Sequence, residues 1–109
     1  MTKSLISFEA QNDMLEIKRY ISDDLDNPLA AKRILSGIIK RIHSLERFPL
    51  IGASLSSIVG FETEYRFLVC ENYLVIYRYH EDTAMIIRVL YGQRDYIKIL
   101  FGDTLDDGV

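Results

Sequence analysis

The sequence predicts an α+β fold in the order β-α-α-β-β-β, a helical hairpin packed on a small, mostly antiparallel sheet. Three observations predict it. In the first half of the chain, apolar residues recur at three- and four-residue steps, the period of a helix with one buried face. In the second half the period turns to two, or to continuous β-branched and aromatic runs, as in strands. The breaks between those runs, Glu71-Asn72 and Glu81-Asp82-Thr83, are short, polar and of hairpin size.

Taken in order, Lys3 to Phe8 is a short apolar run that suits a first strand. From about Glu9 the residues Met14, Ile17, Ile21 and Leu25 form an apolar stripe, with Asp13, Glu16, Lys18 and Arg19 between them, which predicts an amphipathic helix. The acidic stretch Asp23, Asp24, Asp26 ends it, because a helix C-terminus disfavours negative charge. Asn27-Pro28 starts a second helix. Asparagine caps the free backbone donors, and proline suits the first helical position, where its missing N–H had no partner anyway. Ala31, Ile34, Leu35, Ile38, Ile42 and Leu45 hold helical spacing until Phe48-Pro49 closes the element. So short a connection makes the two helices an antiparallel hairpin. Gly37 costs up to about 1 kcal/mol against alanine in mid-helix; close packing against it or a tolerated accident would each account for it. Residues 49–62 read as a Gly- and Ser-bearing loop. Thr63 to Cys70, Tyr73 to Tyr79 and Ala84 to Tyr91 read as three strands, the aromatic YLVIYRY run being the central one. Gly92 ends the last strand, Asp95 to Phe101 has room for one or two helical turns, and DTLDDGV reads as a frayed tail.

The whole chain sets limits on function. Its 109 residues make one domain, and 49% hydrophobic with 27% charged residues is the composition of a compact soluble protein. The lone Cys70 lies in an apolar run and reads as a small buried hydrophobe in a reducing compartment. No stretch approaches the roughly 18 apolar residues that span a bilayer, and the N-terminus turns polar too early for a signal peptide. The expected location is the cytoplasm, with no membrane partner. The net charge of −3 is weakly repulsive to phosphate, so basic residues must cluster if they are to grip nucleic acid.

Most catalytic signatures are missing from the sequence. It has no phosphate-binding glycine loop, no paired-cysteine metal spacing and no nucleophile elbow, so neither a metal nor a cofactor is expected. His43 and His80 read as surface residues. What is left is positional: Arg66, Arg78 and Arg88 fall within strands, Arg94 lies just past the last one, and tyrosines interleave them. Two readings stay open. The arginines pair with Glu62, Glu64 or Asp82 around an aromatic core, or they meet phosphate while the rings stack on bases.

The run AAKRILSGIIKRIHSLERFPLIG, followed by YRFLVCENYLVIYRYHEDTAMIIRVLYGQRDY, resembles the RelE/ParE toxins of type II toxin–antitoxin systems. The likeness rests on a helix-ending LxxFPxxG (Leu45, Phe48, Pro49, Gly52), Tyr65-Arg66 at the second strand, NYxVxYRY over Asn72 to Tyr79, and the closing RVLYGQRDY of Arg88 to Tyr96. It implies a toxin domain over residues 1–101, with 102–109 a flexible acidic tail. It also implies growth inhibition and a cognate antitoxin as partner. The target is DNA gyrase in ParE-like members, or messenger RNA in the ribosome in RelE-like ones. Carried over by position, Arg94 matches the family's arginine after the final strand, Arg66 stands where a basic residue opens the second, and Tyr96 lies near the terminal acid–base groups. These three are the candidate catalytic residues, should the chain be a metal-independent endoribonuclease. The phosphate-handling set is thin: Leu74 follows Tyr73 where an arginine often stands, and Leu68 and Cys70 replace strand lysines. A ParE-like action on gyrase is therefore preferred, with the RelE-like nuclease and a non-toxic antitoxin-binding or protein-interaction module as alternatives. The second helix carries Lys32, Arg33, Lys40, Arg41 and Arg47 against Glu46 alone. Lys32, Arg33, Lys40 and Arg41 are the expected antitoxin-binding face.

Overall fold

The computed structural model describes residues 2–92 and 96–102, without the side chains of Tyr96 and Ile97. Strand β1 (Lys3–Ile6) leads into helix α1 (Phe8–Arg19), which continues as a π-helical turn over Tyr20–Asp24. Helix α2 (Pro28–Ser44) is followed by a two-residue strand β2 (Ala53–Ser54) and a short helix α3 (Ser56–Val59). Strands β3 (Arg66–Cys70), β4 (Tyr73–His80) and β5 (Thr83–Tyr91) make a meander, and α4 (Tyr96–Phe101) comes after it. The five strands form one sheet in the order β1-β5-β4-β3-β2, antiparallel except for the parallel pairing of β1 with β5. The α+β expectation holds. The expected loop over 49–62 contains a strand and a helical turn.

The helix boundaries follow from local chemistry. Ser7 caps α1, its hydroxyl accepting from the Ala10 N–H. The acidic stretch does close the helix, through the Leu25 N–H to the Tyr20 carbonyl and the Asn27 N–H to the Ile21 carbonyl, around Asp26 at φ 50°. Asn27 accepts from the Ala30 N–H and Pro28 opens α2. One detail of the predicted stripe is wrong. Leu25 is 55% exposed, because the π turn rotates the chain past the core, and the face turned inward is Ala10, Asp13, Ile17 and Ile21. An aspartate lies at the centre of that buried face.

The hairpin covers one side of the sheet, packing Ile17, Ile21, Ala31, Ile38, Ile42 and Leu45 against Leu68, Val75, Tyr77, Ile86 and Val89. On the opposite side, Leu55, Leu74, Ile76 and Leu90 form a second core with Tyr65, Phe67, Ile99 and Leu100. The Phe101 ring meets Phe61 at 5.1 Å and Tyr65 at 5.8 Å. With both faces covered, β4 is buried without interruption from Tyr73 to Tyr77, hence its continuous apolar reading. Gly37 faces the Cys70 sulfur, which would lie 3.2 Å from an added Cβ, so close packing and not accident accounts for it.

The FPLIG segment is anchored from beneath. The buried Tyr77 hydroxyl donates to the Pro49 carbonyl at 2.8 Å and accepts from the Gly52 N–H at 3.0 Å. A Cβ on Gly52 would come within 2.6 Å of the Tyr77 ring, so only glycine lets the loop approach this closely. Arg66 locks the same loop from the next strand, its Nη1 donating to the carbonyls of Gly52 at 2.6 Å and Leu50 at 3.3 Å.

Candidate functional site

The outer side of the helical hairpin is grooved. Helix α1 and the π turn after it bury the stripe of Ala10, Asp13, Ile17 and Ile21, leaving a second stripe of Gln11, Met14, Leu15 and Lys18 turned along α2. Helix α2 likewise buries Ile38 and Ile42 and presents Leu35 and Ile39 between the helices. The result is a cleft of about 630 Å³ with Ala31, Leu35 and Ile39 on its floor and Lys18, Lys32 and Lys40 on its rim. A second hollow of about 280 Å³, lined by Ile6, Met14 and Leu15, shares Lys18 and Leu35 with the first. The two run together as one apolar trough with basic edges.

None of the three rim lysines forms an ion pair within the described residues. Their charge is available to a ligand. The floor offers aliphatic surface and no buried polar atom lacking a partner, so hydrophobic burial would supply affinity and the lysines orientation and encounter rate. Ala31, Leu35 and Ile39 follow one another at four-residue steps on α2, so the apolar floor runs along that helix.

Only part of the predicted basic face belongs to it. Lys32 and Lys40 line the trough; Arg33 and Arg41 do not. Arg33 turns to the β3–β4 turn, where its Nη1 lies 2.8 Å from both carboxylate oxygens of Glu71, a contact that raises its pKa further. Arg41 lies near Cys70, whose thiol burial pushes up and the arginine charge draws down. In the sequence Lys18 reads as part of the polar side of the first helix and is not joined to the basic face, because it belongs to the other helix. The available signal was its place three residues after Leu15 and four after Met14, on a stripe distinct from the inward one.

The strand arginines are each engaged. Arg66 holds the Leu50 and Gly52 carbonyls, and exposed Arg78 lies 3.4 Å from Glu64. Arg88 makes two 2.7 Å bonds to Asp13, whose Oδ2 also accepts the Val89 N–H at 2.9 Å. The partner of Arg88 is thus neither Glu62, Glu64 nor Asp82. The geometry explains it: β1 ends at Ile6 opposite Ile86, leaving the edge of β5 open beyond that pair. Helix α1 fills the edge with Ser7, bonded to the Ile86 and Ile87 carbonyls, and with Asp13 one turn and a half later. The paired carboxylate raises the Arg88 pKa, burial opposing it. Arg94 and the side chain of Tyr96, predicted catalytic groups, lie outside the described residues, as does the tail over 103–109. His43 and His80 are exposed, each 3.6 Å from a glutamate. Among the described residues no group of three or more metal-ligating side chains is present, and no helix is long and apolar enough to cross a membrane.

Comparison with known proteins agrees with this architecture. The family model for the ParE toxin of the type II toxin–antitoxin system parDE matches residues 5–96. A solved structure described as the chromosomal ParDE TA system from P. aeruginosa superposes with a TM-score of 0.70 at 19% identity, covering 84% of this chain and 96% of that one. None of the curated proteins matches the chain.

Proposed function

The chain belongs to the ParE toxin family of type II toxin–antitoxin systems, and from that premise we propose that it halts growth by poisoning DNA gyrase and is silenced by an antitoxin segment seated in the hairpin trough. An antitoxin partner follows from the family itself. One observation favours gyrase over ribosomal messenger RNA: Arg66, Arg78 and Arg88 are all spent on acceptors within the protein. A ribosome-dependent nuclease needs a cluster of free cations to neutralise the RNA backbone and the pentacoordinate phosphate formed when the 2′-hydroxyl attacks. Both targets are cytoplasmic, and the cytoplasm is where the toxin acts on this reading. Purified protein should inhibit gyrase supercoiling and trap cleaved DNA, while leaving ribosome-bound messenger RNA intact. Cleavage of that RNA with gyrase unaffected would assign the chain to the nuclease branch, and normal growth at full expression of folded protein would reduce it to an interaction module.

For the antitoxin, the apolar floor of Leu35, Ile39 and Met14 fits one face of an amphipathic helix, and Lys18, Lys32 and Lys40 fit carboxylates along its flanks. A segment disordered when free and helical when bound spends a few kcal/mol on ordering, in return for wrapping a large surface with a short sequence.

A further inference from the structure

On the other side of α1, between its C-terminal half and the open edge of β5, lies a slot of about 190 Å³ lined by Tyr20, Tyr73, Tyr91, Glu16 and Asp13 with flanking aliphatic residues. We propose that this slot receives a cationic side chain, an arginine or a lysine, from a protein partner. The inference does not depend on which target the toxin attacks.

The walls argue for it. The Tyr73 and Tyr91 rings stand edge to face, 5.9 Å apart at 71°, and Tyr20 adds a third ring from the π turn that follows α1. Edge-to-face packing covers one face of one ring and leaves the other faces uncovered by it, and the negative π-face of a tyrosine attracts a guanidinium or ammonium group. The Tyr73 ring is nearly buried, while its hydroxyl reaches solvent and makes no hydrogen bond with the described residues. Burial, with the phenols of Tyr20 and Tyr91 and the Glu71 carboxylate nearby, raises its pKa, so it stays neutral and offers its lone pairs.

Charge selects the occupant. Among the described residues no lysine, arginine or histidine lines the slot, so they offer a phosphate or carboxylate no countercharge there. Asp13 is already saturated by Arg88 and the Val89 N–H. Glu16 is exposed and forms no ion pair within the described residues, leaving one free carboxylate at the mouth. A volume of 190 Å³ equals about six waters of bulk liquid, room for the end of one long side chain but not for a nucleotide.

The test titrates isotope-labelled full-length protein, followed by heteronuclear NMR, with N-acetyl-arginine methylamide at up to tens of millimolar. Its neutral isostere N-acetyl-citrulline methylamide and adenosine monophosphate serve as comparison probes. The arginine probe should give saturable shifts at the amides of Glu16, Tyr20, Tyr73 and Tyr91, and the citrulline probe none. Glu16→Gln, at an exposed position that leaves the fold intact, should weaken binding by about threefold, and Tyr91→Ala by a similar factor. No saturable shift at these amides, equal response to citrulline, preference for the nucleotide, or Glu16→Gln binding as well as the parent would each overturn the proposal.

Discussion

Replacing Asp13 by alanine should cost the fold more than any other single charge removal among the described residues. The side chain of Asp13 is only 8% exposed, and its two oxygens accept three bonds: two at 2.7 Å from Arg88 and one at 2.9 Å from the Val89 N–H. Truncation leaves a backbone donor with no acceptor at the β5 edge, which costs about 1–3 kcal/mol. It also strands a guanidinium whose partner is gone, a loss of roughly 3–5 kcal/mol for a fully buried pair. Arg88 keeps 25% of its side chain in water and can be partly resolvated, so the second contribution must be discounted heavily. The two effects overlap and together come to about 3 kcal/mol, a large share of the 5–15 kcal/mol typical of a domain. Urea unfolding followed by circular dichroism should show that loss, with the melting temperature down by roughly 12–20 °C. Asp13→Asn retains one acceptor for the Val89 N–H and should fall in between. A double-mutant cycle with Arg88→Ala should return a coupling energy above about 1 kcal/mol. A loss under about 1 kcal/mol for Asp13→Ala would refute the reasoning, since the pair would then behave as an ordinary surface contact.

Gly52→Ala should destabilise by about 2 kcal/mol or more, because its Cβ would press within 2.8 Å of both the Tyr77 ring and the Phe67 carbonyl; an unchanged denaturation midpoint would contradict that close approach. Tyr77→Phe should lose roughly 1–3 kcal/mol in the same assay by freeing the Gly52 N–H, buried as it is. Reversing Lys18, Lys32 and Lys40 to glutamate should weaken antitoxin binding at least about tenfold at low salt, chiefly through slower association. In contrast, Arg33→Glu and Arg41→Glu should change it by less than about threefold, and calorimetry that ranks the two sets the other way would move the binding face. Arg94→Ala should abolish growth arrest while leaving antitoxin affinity intact, with Arg78→Ala, whose one 3.4 Å contact is at the surface, still toxic; a fully toxic Arg94→Ala would remove that residue from the site.

The legible parts of this chain are those in which local pattern and tertiary environment agree. Asn27-Pro28 caps a helix in any context, and YLVIYRY has no polar residue to spare until Arg78, as a strand covered on both faces requires. Strand β2 was invisible because two residues carry no period; Ala53 and Ser54 are a strand only because Phe67 and Arg66 lie beside them. Asp13 misled for a related reason. An acid within an amphipathic helix reads as part of its wet face, and its partner lies 75 residues away. Leu25 misled in the opposite sense, since extrapolating a period of 3.6 fails across a π turn. For the candidate trough, the two rim lysines of α2, Lys32 and Lys40, were readable from that helix alone. The rest needed the second helix, because a groove belongs to two elements and neither one's spacing encodes it.

The parallel pairing of β1 with β5 has a bearing on how the toxin is made. The α1–α2 hairpin and the β3–β4–β5 meander each form from neighbours in the chain, and such local pieces close quickly. Their union is not local: Lys3 pairs with Thr83, Ser7 bonds Ile87, and Asp13 reaches Arg88. On a ribosome working from the N-terminus, β1 has no partner until β5 has been synthesised and has cleared the exit. Part of the hairpin's apolar underside, the part that meets Ile86 and Val89, must therefore wait uncovered until β5 is made. A chain that stops before Thr83 lacks the strand that β1 and Asp13 dock against, so β5 must be made before a closed toxin can exist.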